Sequence, residues 1–201
     1  MKTLYLDCGM GAAGDMLTAA LLDLLPDREA AVAELNAIGV PHVVYGCETV
    51  RRCGICGAHM SVRVDGVEES EAMHHHAHEH CHEHEHTHTH AHTGMDRIAR
   101  IVRDHLNLPE EVRADVLAVY DSIARAESHA HGVGVADIHF HEAGTMDALA
   151  DITAAALLKH FVTRFGEMPV MTTEAIGYGM GTKEFDAANC LRAFWGQSSG
   201  Q

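Results

Sequence analysis

The chain has 201 residues, a length that suits one compact domain or one domain with a flexible insert. Fourteen Lys and Arg residues face 29 Asp and Glu residues, and a formal net charge of -15 argues against binding to nucleic acid or anionic lipid, which repel an acidic protein. No apolar run approaches the roughly 20 residues of a membrane helix and we find no signal peptide, so we predict a cytoplasmic protein with reduced cysteines that binds neither nucleic acid nor membrane.

The first third of the chain has the periodicity of alternating strands and helices. Asp15 stands where a helix N-cap is expected, and Pro26 ends the apolar stripe that follows it. Strands are expected at residues 2–8, 43–50 and 59–64, and helices at 15–25 and 27–38.

From residue 95 onward the same alternation returns. Pro109 and the two acids after it predict the start of a long helix. The three glycines within residues 177–181 predict a backbone turn. Helices are expected from residue 95, from 109 to about 131 and over 145–163, and strands at 137–141, 170–176 and 188–195. The pattern predicts an α/β fold in which a mixed sheet is covered by helices.

Residues 67–93 have a different character, because they hold almost no apolar side chain. Such a segment cannot offset by burial the roughly 1–2 kcal/mol per residue that ordering the backbone costs. We therefore predict a single α/β domain formed by residues 1–66 and 94–196, a disordered insert at 67–93 and a tail at 197–201.

The insert contains eleven of the nineteen histidines. Imidazole binds first-row transition metals, and the glutamates between the histidines add charge that attracts a divalent ion. We expect the tract to store or funnel metal; the alternative is a solvated low-complexity loop with incidental affinity. The predicted metal ligands are His74, His75, His76, His78, His80, His82, His84, His86, His88, His90 and His92.

A second group of candidate ligands surrounds a short turn at Gly144. His139 and His141 share a face of the predicted strand, and Asp147 and Asp151 share a face of the helix that follows. Together with Glu142 they satisfy the ligand demand of a divalent metal, so we predict a metal or catalytic site. The alternative is a hydrogen-bonded structural turn.

A third candidate is the glycine-rich turn between the first strand and the first helix. Asp7, Gly11, Gly14 and Asp15 line a strand–turn–helix unit of the kind that binds anions. No Lys-Ser or Lys-Thr follows the last glycine, so this is not a Walker A loop, and the acid at the helix start suits a metal-bridged phosphate. An ordinary turn is the alternative, and the pattern alone favours it.

Cys53 and Cys56 form a single CxxC with no matching pair elsewhere. Two thiolates could contribute to a zinc site, but a hairpin turn carrying two reduced thiols is the preferred interpretation.

The blocks 7–16, 139–152 and 174–179, with a His-rich insert between the first two, resemble in their order the LarC family of nickel insertion proteins, which act in nickel-pincer cofactor biosynthesis. The resemblance implies a cytosolic lyase-type insertase that places nickel in pyridinium-3,5-bisthiocarboxylic acid mononucleotide. It also implies an association with CTP and manganese or magnesium.

This chain departs from the family in length. The family has a further segment after the position of Ile152, and we expect that this segment is missing here, because only residues 153–158 separate Ile152 from the stretch that begins at Lys159. We therefore expect a shortened or N-terminal form of the family. Such a form would work with a separate C-terminal half, in a homo-oligomer, or both. The nucleotide would bind through the absent region. The alternative to an insertase is a non-enzymatic nickel-binding or metallochaperone module, or an inactive truncated remnant.

Overall fold

The computed structural model describes residues 1–68, 93–140, 148–150, 152–153, 166–183 and 185–199. The strands within these ranges are β1 (Lys2–Asp7), β2 (Val43–Arg52), β3 (Ile55–Val64), β4 (Val67–Glu68), β5 (Thr93–Gly94), β6 (His139–Phe140), β7 (Met171–Met180) and β8 (Cys190–Ser198). The α-helices are α1 (Gly14–Leu24), α2 (Arg28–Ala37), α3 (Met95–Asp104) and α4 (Glu110–His131). No helix in the described part of the chain is both long enough and apolar enough to cross a membrane.

The main sheet has the strand order β1-β8-β7-β3-β2, and the short β4 pairs with β3. Every neighbouring pair is antiparallel except β3 and β7, which run parallel and meet at Ala58 and Gly179. A separate two-stranded ribbon joins β5 to β6. The predicted mixed α/β architecture is confirmed.

The main hydrophobic core lies between the β2–β3 half of the sheet and the helices. Tyr45, Met60 and Val62 supply the strand side, while Val102 and Val116 supply the α3 and α4 side. A smaller cluster joins α1 to β8 through Met16, Ala20, Leu191 and Ala193. The helical pattern of the sequence is thus explained, because the buried residues of α3 and α4 recur every three to four positions.

The prediction of a turn at residues 177–181 is wrong, because residues 177–180 lie inside a strand. Gly177 and Gly179 belong to β7, and α1 packs directly on them. A Cβ atom on either glycine would overlap a backbone carbonyl oxygen of α1, that of Ala20 or of Met16 respectively. The glycines permit close helix–sheet packing, which a local pattern does not distinguish from turn chemistry.

Four smaller expectations also need correction. Asp15 lies in the first turn of α1, and the N-cap residue is Ala13. Residues 135–137 form a 3-10 turn, so the strand expected at 137–141 begins only at His139. Gln197 and Ser198, placed in the tail, belong to β8. Strands β4 and β5 take up residues 67–68 and 93, which the sequence assigned to the insert.

Candidate functional site

Strands β1 and β7 end at the same edge of the sheet, next to the start of α1. Asp7 is the last residue of β1, and its carboxylate pairs with the guanidinium of Arg192 on β8. The other oxygen of Asp7 accepts a hydrogen bond of 3.0 Å from the backbone N–H of Gly9. Gly11 has a φ of 107°, and its N–H donates to the carbonyl of Cys8, so the glycine-rich turn is a tight turn at this edge.

Asp15 stands at the positive end of α1. Its carboxylate accepts a hydrogen bond of 2.7 Å from the backbone N–H of Met16. Burial raises the pKa of Asp15 above its usual value, while this hydrogen bond and the nearby His59 act in the opposite direction. The partly buried carboxylate of Asp15 is therefore within electrostatic range of the His59 imidazole.

His59 on β3 is a buried polar residue at this edge, with 7% of its surface exposed. Its Nδ1 lies 3.0 Å from the carbonyl oxygen of Met180, an acceptor, so Nδ1 carries the proton and donates. The Nε2 atom lies 3.7 Å from an oxygen of Glu68. Donation of one ring N–H to a backbone carbonyl is how proteins fix the orientation of an imidazole whose other nitrogen takes part in proton or metal chemistry.

The sequence did not indicate a role for His59, which is isolated along the chain. Its neighbours Asp15, Glu68 and Met180 come from α1, β4 and β7, so no local spacing could reveal them. Glu68 is also the last described residue before the histidine tract. The imidazole thus lies beside the point where the tract leaves the sheet.

The two larger sets of predicted ligands fall mostly outside the described residues. The histidines 74–92 lie there, as do His141, Glu142, Asp147 and Asp151. His139 is described through its backbone, which lies in β6. Within the described ranges, no group of three or more His, Cys, Asp or Glu side chains is arranged to hold a metal ion.

The ribbon of β5 and β6 connects the two regions that carry these histidines. Gly94 pairs with His139 and Thr93 pairs with Phe140. Thr93 follows His92 in the chain, and Phe140 precedes His141. Thr93, the first described residue after the tract, therefore lies opposite Phe140, which stands between His139 and His141 of the second candidate group.

The glycine-rich turn does not fit the nucleotide that the resemblance implies. The carboxylates of Asp7 and Asp15 flank the turn and repel phosphate, and the guanidinium of Arg192 is already paired with Asp7. We therefore assign no step to CTP or to its manganese or magnesium ion at this turn.

The CxxC motif forms the predicted hairpin. Cys53 and Gly54 join β2 to β3, and both have positive φ, at 48° and 83°, as a two-residue type I′ turn requires. Cys53 and Cys56 are free and exposed. The thiol of Cys53 lies 3.8 Å from the carbonyl oxygen of Phe185, so the hairpin contacts the β7–β8 connection.

The sequence matches one known protein family over most of its length. The profile of a family described as "Nickel insertion protein" matches residues 4–158 and 153–201. The chain belongs to the nickel insertion protein family. The two matches overlap only at residues 153–158, which is where the sequence predicts that a middle segment of the family is missing.

Curated relatives agree with membership of the nickel insertion family. A "Pyridinium-3,5-bisthiocarboxylic acid mononucleotide nickel insertion protein" from Alkaliphilus metalliredigens is 32% identical over 154 residues, 77% of this chain and 35% of the relative. A protein of the same name from Staphylococcus epidermidis is 27% identical over 253 residues, 95% of this chain and 58% of the relative.

A relative from Geobacter metallireducens, also named for nickel insertion, is 28% identical over 265 aligned positions. That alignment covers 100% of this chain and 62% of the relative, so the chain spans less than two thirds of its length. Because the alignment is longer than the 201-residue chain, the relative contains internal residues that have no counterpart here. No solved structure matches the chain.

Proposed function

We propose that this chain takes part in nickel insertion into pyridinium-3,5-bisthiocarboxylic acid mononucleotide, with nickel as the transferred ion. The observation that carries the proposal is the match to the nickel insertion family, which extends over residues 4–158 and 153–201. The names of the Alkaliphilus and Staphylococcus relatives supply the substrate. In this proposal the reaction is that of a nickel chelatase, and the product is the nickel-pincer cofactor.

The histidine tract collects nickel, and the group His139, His141, Glu142, Asp147 and Asp151 passes it to the substrate. The pairing of β5 with β6 supports such a transfer, because it holds Thr93, the residue after His92 in the chain, next to the strand that carries His139. A repetitive tract of imidazoles suits capture, whereas insertion needs ligands that are held in one geometry. Asp7, Gly11, Gly14 and Asp15 are proposed to bind the phosphate of the mononucleotide through a bridging divalent ion, because their carboxylates repel a bare phosphate.

A second candidate function is nickel carriage without chemistry. The observation that favours it is internal to the alignment: 265 aligned positions for a chain of 201 residues mean that an internal segment of the Geobacter relative has no counterpart here. A carrier would deliver nickel to a partner that supplies the family's C-terminal half, or act as a homo-oligomer.

The test measures nickel transfer to the synthetic mononucleotide by the purified chain, with the absorbance of the product as the readout. We expect transfer by the native chain and its loss in the double variant His139→Ala, His141→Ala, while bulk nickel binding hardly changes. The matched control is His129→Ala, His131→Ala, which removes two exposed histidines of the same spacing at the end of α4. Thermal unfolding of each variant checks the fold.

Two outcomes would count against this proposal. If the native chain binds nickel but transfers none, either alone or with the family's C-terminal half, nickel carriage is the correct function. If the well-folded double variant transfers as fast as the native chain, the group around His139 is a structural turn.

A further inference from the structure

One edge of β3 carries His59 between two short strand pairings. Strand β2 pairs with the opposite edge of β3 along its whole length. The edge away from β2 is paired, in the described part of the chain, with β7 at Ala58 and with β4 at Arg63 and Val64. His59 lies just after the first of these pairings and before the second. Its ring is therefore placed to contact the ends of both β7 and β4.

The two ring nitrogens of His59 have different surroundings. Nδ1 donates to the carbonyl oxygen of Met180, the last residue of β7, over 3.0 Å. Nε2 lies 3.7 Å from a carboxylate oxygen of Glu68, the last residue of β4. That separation exceeds the usual 2.7–3.2 Å of an N–H···O hydrogen bond, so Nε2 has no hydrogen-bond partner among the described residues. A buried imidazole thus has one nitrogen fixed and one nitrogen that faces a carboxylate.

The distance between Nε2 and the Glu68 oxygen suits two ligands of one metal ion. Ions such as zinc bind nitrogen and oxygen at about 2.0–2.2 Å, which sets two ligand atoms about 3.0 Å apart at a right angle and about 4.2 Å apart on opposite sides of the ion. The observed 3.7 Å lies between these limits. Metal-binding histidines also usually donate their other ring N–H to a carbonyl or carboxylate, as Nδ1 of His59 does here.

The surroundings of this pair favour a cation that arrives from solvent. The carboxylate of Asp15 interacts electrostatically with His59, and the whole chain has a formal net charge of -15. The side chain of Glu68 is 43% exposed, whereas that of His59 is 8% exposed. An ion can therefore reach the carboxylate from outside and meet an imidazole that is already oriented.

We propose that Nε2 of His59 and the carboxylate of Glu68 form a nickel site at the ends of β7 and β4, which receives the ion before it is transferred to the substrate. The inference rests on the proposed function for the identity of the ion, and it deepens that function by adding a site made of described residues. Two protein ligands leave the other positions of the ion open to water or to a donor atom of the receiving molecule. Such a site can release its ion, as a transfer site must.

The test follows hydrogen–deuterium exchange at the C2 atom of each imidazole by mass spectrometry, in the full chain and with increasing Ni²⁺ alone. This exchange proceeds through the doubly protonated ring, and a metal on Nε2 prevents that protonation. Each histidine therefore reports its own occupancy, and the histidines of the tract are read in the same samples. The native chain is compared with Glu68→Gln, which keeps the shape of the side chain and removes its charge.

The matched control is Asp65→Asn. Asp65 is an exposed carboxylate that also faces an imidazole, but its oxygen lies 2.8 Å from Nδ1 of His42. That is a direct hydrogen-bond distance, which leaves no room for an ion between the two groups. The control therefore removes the same charge from the neighbourhood of β3 without touching the proposed site.

We expect exchange at His59 to slow in the native chain as Ni²⁺ is added. The nickel concentration that gives half of this effect should rise about 10-fold or more in Glu68→Gln and stay unchanged in Asp65→Asn. Nickel transfer to the synthetic mononucleotide is measured separately with His59→Asn, whose amide can still donate to Met180 but which lacks the nitrogen that binds nickel. This variant should unfold cooperatively and transfer nickel several-fold more slowly than the native chain.

Unchanged exchange at His59, at nickel concentrations that saturate the histidines of the tract, would overturn the inference. A protonated His59 held in an ion pair with Glu68 would give that result. Equal nickel dependence in Glu68→Gln and the native chain, or an equal change in Asp65→Asn and Glu68→Gln, would also overturn it. These readouts do not depend on transfer. If the native chain transfers no nickel, the proposed function fails, whereas slowed exchange at His59 still establishes the site.

Discussion

Gly179 of β7 lies directly against the backbone carbonyl of Met16 in α1, so close that a single methyl group would not fit between them. Gly177 has the same relationship to Ala20, one helical turn further along α1. The two glycines bring α1 onto the sheet at backbone contact distance. They thereby fix the position of Asp15, at the start of α1, whose pKa the nearby His59 lowers against the effect of burial.

Gly179→Ala should destabilise the fold strongly. The added methyl group meets main-chain atoms, which cannot rotate away, so we expect a loss at or above the 1–3 kcal/mol typical of overpacking. Urea denaturation of the purified chain measures it. Gly134→Ala is the control, because there the new methyl group meets only the end of the Asp137 side chain, at 3.0 Å. Equal stability of the two variants would contradict the described packing of α1.

Asp15→Asn should stabilise the protein at neutral pH. Burial raises the pKa of Asp15 in the folded state, so folding is penalised once the carboxyl ionises, that is, as pH rises above the usual value of 3.8. Asparagine stays neutral and keeps an oxygen that can accept the N–H of Met16. The stabilisation should be present at pH 7 and disappear near pH 3, as measured by denaturation at both values. A variant that is less stable than the native chain at pH 7 would show that burial is not the dominant effect.

His59→Ala should cost stability because it removes the donor to the Met180 carbonyl and leaves a gap beneath the sheet edge. A buried acceptor that loses its partner costs about 1–3 kcal/mol. Thermal unfolding can be compared with that of His105→Ala, which removes an exposed histidine at the end of α3. We expect a clear loss for the first variant and almost none for the second; similar midpoints would mean that the Met180 contact contributes little.

Deletion of residues 69–92 should leave the domain folded and lower the number of nickel ions bound. The deletion is limited to these residues because Val67–Glu68 pairs with β3 and Thr93–Gly94 pairs with β6. A short glycine–serine linker in place of the tract preserves both pairings. Calorimetry with Ni²⁺ counts the ions, and circular dichroism checks the fold. Loss of cooperative unfolding in the shortened chain would show that the tract is part of the core.

Nickel binding by the tract should weaken steeply in acid. Metal binds the neutral imidazole, whose unperturbed pKa is about 6.5, so protons compete with nickel below that value. We expect retention near pH 8 and release near pH 5, measured by equilibrium dialysis of the native and tract-deleted chains. Retention that is equal at both values would exclude imidazole as the main ligand.

The sequence predicted most of the strands and helices because their signals are local. The alternating residues of β1 to β3, the Asp27 cap of α2 and the αL glycine that ends α4 each act within a few residues. The glycines of β7 and the partners of His59 could not be predicted, because their surroundings come from elements far apart in the chain. Of the three candidate groups, the structure shows the turn between Asp7 and Asp15, while the ligand sets of the tract and of residues 141–151 stay predictions.

The pairing of β1 with β8 also governs the order in which the chain can fold. Lys2 pairs with Gln197, whereas the β2–β3 hairpin closes through two residues. Contacts this distant in sequence carry a large loop-closure cost and slow the search for the native state. During synthesis β1 has no strand to pair with until the ribosome has released β8, which lies near the end of the chain. The hairpin can form early, and closure of the sheet by β8 is expected to be the late step in folding.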